Sequence, residues 1–485
     1  MSSSSLSRLA HSVSLLLATL SLAGCASLQP AAPSLPAEVR TALDAAGMPE
    51  SALGVVAFAL DAPDQGLRLQ ADRAMQPGSA MKLVTAIVAL DRLGPHSRGR
   101  SELLAEAAPQ GERLAGPLYL RGGADSALDW GALWLMLRQL REQGVREIQG
   151  GLVVDRQLFL PARADLGAAP FDEAPEFPYN VIPDALNLNG QLLRYLLQSD
   201  GERVQARLFP AWPGMKVDTS RLTLNERPCA DWARDWRVPE LGRDAGGVVV
   251  MLQGGFPKHC RAAPELNLVD RQWLAAQSLR QLWRELGGVI EGPDREAATP
   301  AGAVVLASHQ GRPLIEDLFP MMKRSDNALT RLTYLRLGAA AAVPGEPTAA
   351  AAERVVRAWF AEQGIADQGL VLDNGSGLSR SERITPAQLA ALLQAAQRGR
   401  HGPELLVSLP VAGVDGTLAR RFKGGPAEGR ARLKTGTLRN AMALAGYMPD
   451  ARGRLWVVVA LLNDEQAAAK GRPVLDALIE WLARR

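Results

Sequence analysis

The chain of 485 residues is poor in the residue types that carry much of protein chemistry, with three cysteines, five histidines and only seven lysines among 54 basic residues. The histidines (His11, His96, His259, His309 and His401) show no H-E-x-x-H and no paired spacing, so neither a metal site nor a cofactor is expected. Formal charge is only +3, with arginine interleaved among Asp and Glu, which leaves no basic block for a nucleic-acid partner. The lysine scarcity is the most pointed absence. A guanidinium keeps its proton under all protein conditions, whereas a lysine desolvated in a pocket can lose it and act as a base. Of Lys82, Lys216, Lys258, Lys323, Lys423, Lys434 and Lys470, only Lys82 follows a serine at a distance of three residues.

That serine belongs to the first of three short motifs, each present once. They are Ser79-Ala80-Met81-Lys82, Ser325-Asp326-Asn327 and Lys434-Thr435-Gly436-Thr437. Together they supply a hydroxyl nucleophile, an amine to deprotonate it, a second hydroxyl and a cationic strand. Any one alone is a common accident of composition. Three in this order are not.

The amino terminus reads as a targeting segment. Arg8 precedes a short apolar run over residues 12 to 22, too short to span a membrane as a mature helix, and the stretch ends Leu22-Ala23-Gly24-Cys25. Small residues before a cysteine resemble a bacterial lipoprotein signal over 1–25, in which Cys25 is lipidated and becomes the first residue; an ordinary secretory signal or an uncleaved anchor is the alternative. Residues 26–36, rich in Ala, Pro and Ser, read as a tether. Ala26 is not the aspartate that marks inner-membrane retention, which favours the periplasmic face of the outer membrane. Export leaves Cys229 and Cys260, an even pair for an oxidising compartment; a disulfide is expected, with two free buried thiols as the alternative.

Apolar patterning divides the rest. Residues 53 to 60 read as a buried strand with a partner at 66 to 70. Pro77-Gly78 introduces a nearly all-apolar helix from Ser79 to Leu93, which belongs in the middle of a domain. Ser79 would then sit at the helix N-terminus with Lys82 one turn on. From 96 to 266 turn signals and short β-branched runs predict one or two strand-rich inserted accessory domains. Helices return at 270–286, 350–362 and 385–398, the last with Thr385 as N-cap and Pro386 behind it. The chain closes as strands 431–438, 441–448 and 455–462 and a helix at 473–484. The expected host domain is discontinuous, 37–95 plus 267–485, an α/β (α+β) fold with a central antiparallel sheet covered by helices.

With these motifs the chain resembles the D-Ala-D-Ala carboxypeptidase/endopeptidases of the class C low-molecular-mass penicillin-binding proteins. The likeness extends to Leu118–Asp125, Val153-Val154-Asp155 with Phe159, Pro183–Asn187, Met322–Asn327, Asp373–Arg380 and Leu409–Leu418. Arg324, where the family often has lysine, and Ala124 depart from it outside the catalytic set. The resemblance implies a serine peptidase acting on peptidoglycan stem peptides that end in D-Ala-D-Ala, with penicillin and other β-lactams acylating the same serine. It implies Ser79 as nucleophile, Lys82 as base, Ser325 as proton relay and Asn327 as a clamp on Lys82 and the substrate amide. It makes the N–H groups of Ser79 and Thr437 the oxyanion site. Lys434 and Thr435 would meet the free substrate carboxylate, and Gly436 would let the substrate lie against the strand. Asp155 and Arg380 are weaker candidates near the substrate side chain.

Three other readings share these residues. A serine β-lactamase uses the same trio, but the class A type is a much shorter chain than one with this long stretch between Lys82 and Ser325. A non-catalytic cell-wall-binding or penicillin-sensing lipoprotein would have no use for Lys82. Amidase or esterase chemistry would not require a free substrate carboxylate. The oligomeric state is not legible in the sequence.

Overall fold

A computed structural model describes residues 35–485. Cys25, the signal segment and most of the tether lie outside the described residues. Five strands form the central antiparallel sheet: β1 (Leu53–Ala59), β2 (Ala62–Leu69), β3 (Arg432–Leu438), β4 (Ala441–Pro449) and β5 (Leu455–Asn463), in the order β3-β4-β5-β1-β2. β1 and the middle of β5 are buried throughout because the sheet is covered on both faces. With side chains alternating, Val56, Phe58, Val457 and Val459 enter one core with helix α2 (Lys82–Leu93). Val55, Ala57, Val458 and Ala460 enter another, under α1 (Ala37–Ala46) and α4 (Arg472–Ala483). Leu35 is buried in that second core, so the end of the segment expected to be tether belongs to the folded domain.

The Ser79 helix departs from expectation in its first turn. Gly78–Met81 is a 3-10 turn, with Ala80 N–H donating to the Pro77 carbonyl at 3.2 Å, and the α-helix starts only at Lys82. Gly78, at φ +50°, makes that entry possible. In a 3-10 turn residues three apart eclipse, which places Lys82 directly over Ser79. Helix α3 (Asn327–Ala339) starts after a tight turn in which Ser325 holds φ +59°, and Asp326 caps it by accepting from Leu329 N–H at 2.9 Å.

Elements beyond residue 266 share the sheet and core of the segment expected as an insert. Strands Asp294–Glu296 and Val304–Gln310 complete a five-stranded sheet with Arg100–Ala105, Leu118–Gly123 and Leu152–Asp155. Helix Arg271–Glu285 packs on the same core as helix Trp130–Glu142. The return to the host therefore falls after Gln310 and not at 267. An amphipathic helix looks alike in sequence whichever core buries its apolar face. An outer lobe carries strands Met215–Asn225, Trp236–Asp244 and Gly247–Pro257, and there Cys229 and Cys260 form a disulfide.

Candidate active site

The three motifs meet where the 3-10 turn, the start of α3 and edge strand β3 converge. Lys82 Nζ lies 3.0 Å from Ser79 Oγ and 2.6 Å from Asn327 Oδ1, and it also donates to the Ser376 carbonyl. Lys434 Nζ lies 2.9 Å from Ser325 Oγ and 2.8 Å from the Thr435 carbonyl. Both amines are completely buried, whereas Ser79 and Ser325 keep partial exposure. Burial holds the Lys82 ammonium well below the ordinary lysine range; the Lys434 cation pushes the same way, and Glu382 and Asp326 oppose it. Burial also brings Lys434 down to about 7. A serine hydroxyl thus has beside it an amine that sheds its proton readily.

Two expectations about β3 change. Lys434 is sealed beneath the site, with its amine against Ser325 Oγ and the Thr435 carbonyl and not on the open face of the strand. The groups open to a ligand are Thr435, whose hydroxyl lies 2.8 Å from that of Thr417, and exposed Thr437. Gly436 has its glycine for an inward reason. A Cβ there would stand 2.3 Å from the Pro77 carbonyl oxygen and 3.2 Å from Ala80 N. Its absence lets the edge strand press on the Ser79 turn. From the other side a Cβ on Gly78 would lie 3.1 Å from Thr437 N, which puts that N–H against the Ser79 turn.

Asp155 is not brought to the site. Its two carboxylate oxygens accept from Gln157 N–H at 2.9 Å and Thr299 N–H at 2.8 Å, inside the insert. Arg380 borders a cleft of about 660 Å³ shared with Phe171, Asn180, Arg331 and Asp373. Its guanidinium donates to the Phe171 carbonyl at 2.7 Å and stacks over that ring.

Three contributors were given no role in the sequence. One is Tyr179, whose carbonyl accepts from Asn327 Nδ2 at 3.0 Å, so the insert holds Asn327 from behind. The others are Ser376, through its carbonyl, and Thr417. A backbone acceptor leaves no trace in side-chain identity, and a lone threonine gives no signal.

The likeness to known proteins runs through the whole described chain. The family model for D-Ala-D-Ala carboxypeptidase 3 (S13) matches residues 35–485. The D-alanyl-D-alanine carboxypeptidase of Actinomadura sp. (strain R39) is 30% identical over 427 residues, covering 84% of this chain and 76% of that protein. Penicillin binding protein 4 of Haemophilus influenzae superposes with a TM-score of 0.76 at 23% identity, covering 92% of this chain and 99% of that one. A second structure of that protein, complexed with a β-lactam, gives 0.72 at 24%, covering 92% and 100%. With the three motifs assembled on this fold, the chain belongs to the D-Ala-D-Ala carboxypeptidase 3 (S13) family and is a serine-type D-Ala-D-Ala carboxypeptidase.

Proposed function

We propose that the chain removes the terminal D-Ala of peptidoglycan stem peptides through an acyl-enzyme on Ser79, and that β-lactams acylate the same hydroxyl. The observation that carries this is the buried, proton-poor Lys82 within 3.0 Å of Ser79 Oγ. Neutral Lys82 takes the Ser79 proton as Oγ bonds to the carbonyl carbon of the penultimate D-Ala. The carbonyl π pair moves to oxygen and is met by the N–H groups of Ser79 and Thr437. Collapse expels the terminal D-Ala nitrogen, which receives its proton by way of Ser325, itself polarised by Lys434 at 2.9 Å. Water then repeats the sequence on the ester and regenerates Ser79.

The hydroxyls of Thr435 and Thr437 at an open sheet edge suit a free substrate carboxylate, with the buried Lys434 charge behind them. Release of D-Ala from a pentapeptide and from its C-terminal amide tests this reading. The free acid should be cleaved at least tenfold faster; equal rates would favour amidase chemistry. The β-lactam-bound Haemophilus influenzae protein, alike in fold, supports penicillin as a second ligand.

For location, the Leu22-Ala23-Gly24-Cys25 sequence supports a lipid-anchored periplasmic enzyme at the outer membrane. Incorporation of labelled palmitate that is lost in Cys25→Ser tests it; no label in the wild type would point to a soluble secreted enzyme, and label retained in Cys25→Ser would place the lipid on another residue.

A further inference from the structure

Behind the nucleophile lies a fully buried carboxylate that the acyl-transfer steps do not use. Glu382 Oε1 accepts from the N–H groups of Asp373 at 3.3 Å, Asn374 at 3.1 Å and Gly375 at 2.7 Å, and Oε2 accepts from Gly377 N–H at 2.8 Å. Four donors on one side chain fold residues 373–377 into a fixed turn. The turn is seated on the catalytic helix: Thr85 Oγ1 donates to the Gly375 carbonyl at 2.7 Å, and a Cβ on Gly377 would stand 1.9 Å from the Gly78 carbonyl oxygen. Between these two anchors the Ser376 carbonyl is presented to Lys82 Nζ.

A protonated lysine has three hydrogens, and Lys82 has three partners: Ser79 Oγ, Asn327 Oδ1 and the Ser376 carbonyl. Once the proton is lost, two hydrogens remain. Asn327 Oδ1 and the Ser376 oxygen can only accept, so they retain them. Tetrahedral geometry then turns the lone pair toward the third direction, the Ser79 hydroxyl. The amine is thereby aimed as well as deprotonated.

We infer that Glu382 is a positioning residue for Lys82: by fixing the Ser376 carbonyl it directs the amine lone pair at Ser79. Its charge has a separate effect, on the protonation of Lys82. Four N–H donors are complementary to a carboxylate and not to a carboxyl hydrogen, and a negative charge at this depth favours the ammonium form of Lys82. Burial holds the Glu382 carboxyl above the usual carboxylate range, the Asp373 charge pushes the same way, and the Gly375, Asp373 and Gly377 amides oppose it. The charged groups around Lys82 are Lys434, Arg331, Asp326 and Glu382, and Asp373 lies beside Glu382.

The inference rests on the Ser79 acyl-enzyme reading but fails separately from it. The test compares benzylpenicillin acylation and pentapeptide turnover of Glu382→Gln with wild type across pH, alongside thermal melting. Glu382→Gln should acylate about 100-fold more slowly, with kcat reduced and KM within about threefold. The acid limb of the pH profile should move to lower pH, because a charge that favours protonated Lys82 has gone. Acylation within twofold of wild type would overturn the inference. So would a slowed reaction with an unmoved limb, which would assign Glu382 to folding alone. If Glu382→Gln does not fold, Thr85→Val loosens the same turn without touching a charge. It should lower kcat about tenfold, and a rate within twofold of wild type would overturn the inference. A β-lactam adduct persisting in Ser79→Ala would instead remove the underlying reading.

Discussion

Lys434 Nζ and Ser325 Oγ stand 2.9 Å apart although 109 residues separate them in sequence. This contact joins the second motif to the third and brings a second buried cation close to Lys82. Its electrostatic consequence has a definite sign. Acylation needs neutral Lys82, so the rate should rise with pH through an acid limb. Replacing Lys434 by Gln removes a positive neighbour that favours neutral Lys82. The limb should therefore move to higher pH, measured by second-order acylation with benzylpenicillin; an unmoved limb would mean that the two amines are not coupled.

The same residue links stability to pH. Folding brings Lys434 down to about 7 from the ordinary lysine value of 10.5. Between those values the unfolded chain holds a proton that the folded one does not, so this contribution to stability rises with pH. It is lost as pH falls from 10.5 toward 7 and changes little below. Lys434→Met should flatten the slope of melting temperature against pH over that window relative to wild type.

Gly436 tests how the strand meets the nucleophile. A methyl group there would stand 2.3 Å from the Pro77 carbonyl oxygen, so β3 or the Ser79 turn must shift. Gly436→Ala should cost about 1–3 kcal/mol of stability and lower acylation at least tenfold. Wild-type acylation in this variant would show that the close approach is dispensable.

The disulfide should separate stability from catalysis. Cys229 and Cys260 close a loop of 31 residues in the lobe that holds them, and neither makes any of the hydrogen bonds around Ser79. Replacing both by serine should destabilise by about 3 kcal/mol on denaturant unfolding, with acylation within twofold of wild type.

What the sequence disclosed follows from what kind of interaction each residue makes. Ser79, Lys82, Ser325, Asn327 and Lys434 were legible because they fall in three short motifs, each present once. The central sheet was legible because its strands are continuous apolar runs between turns. The insert's true end was not, since the helix Arg271–Glu285 has an apolar face that does not announce its partner. Asp155 was a candidate only through the family resemblance, and its oxygens serve the backbone of the insert. Glu382 and the Ser376 carbonyl stayed hidden. One works by holding amides and the other is itself an amide, and neither leaves a pattern in residue type.

The most direct test is mass spectrometry of the protein after incubation with benzylpenicillin, with proteolysis to locate the adduct. A single covalent addition on the peptide containing Ser79, absent from Ser79→Ala and strongly slowed in Lys82→Arg, is the expected result. An adduct on another residue, or one that persists in Ser79→Ala, would contradict the assignment of the nucleophile.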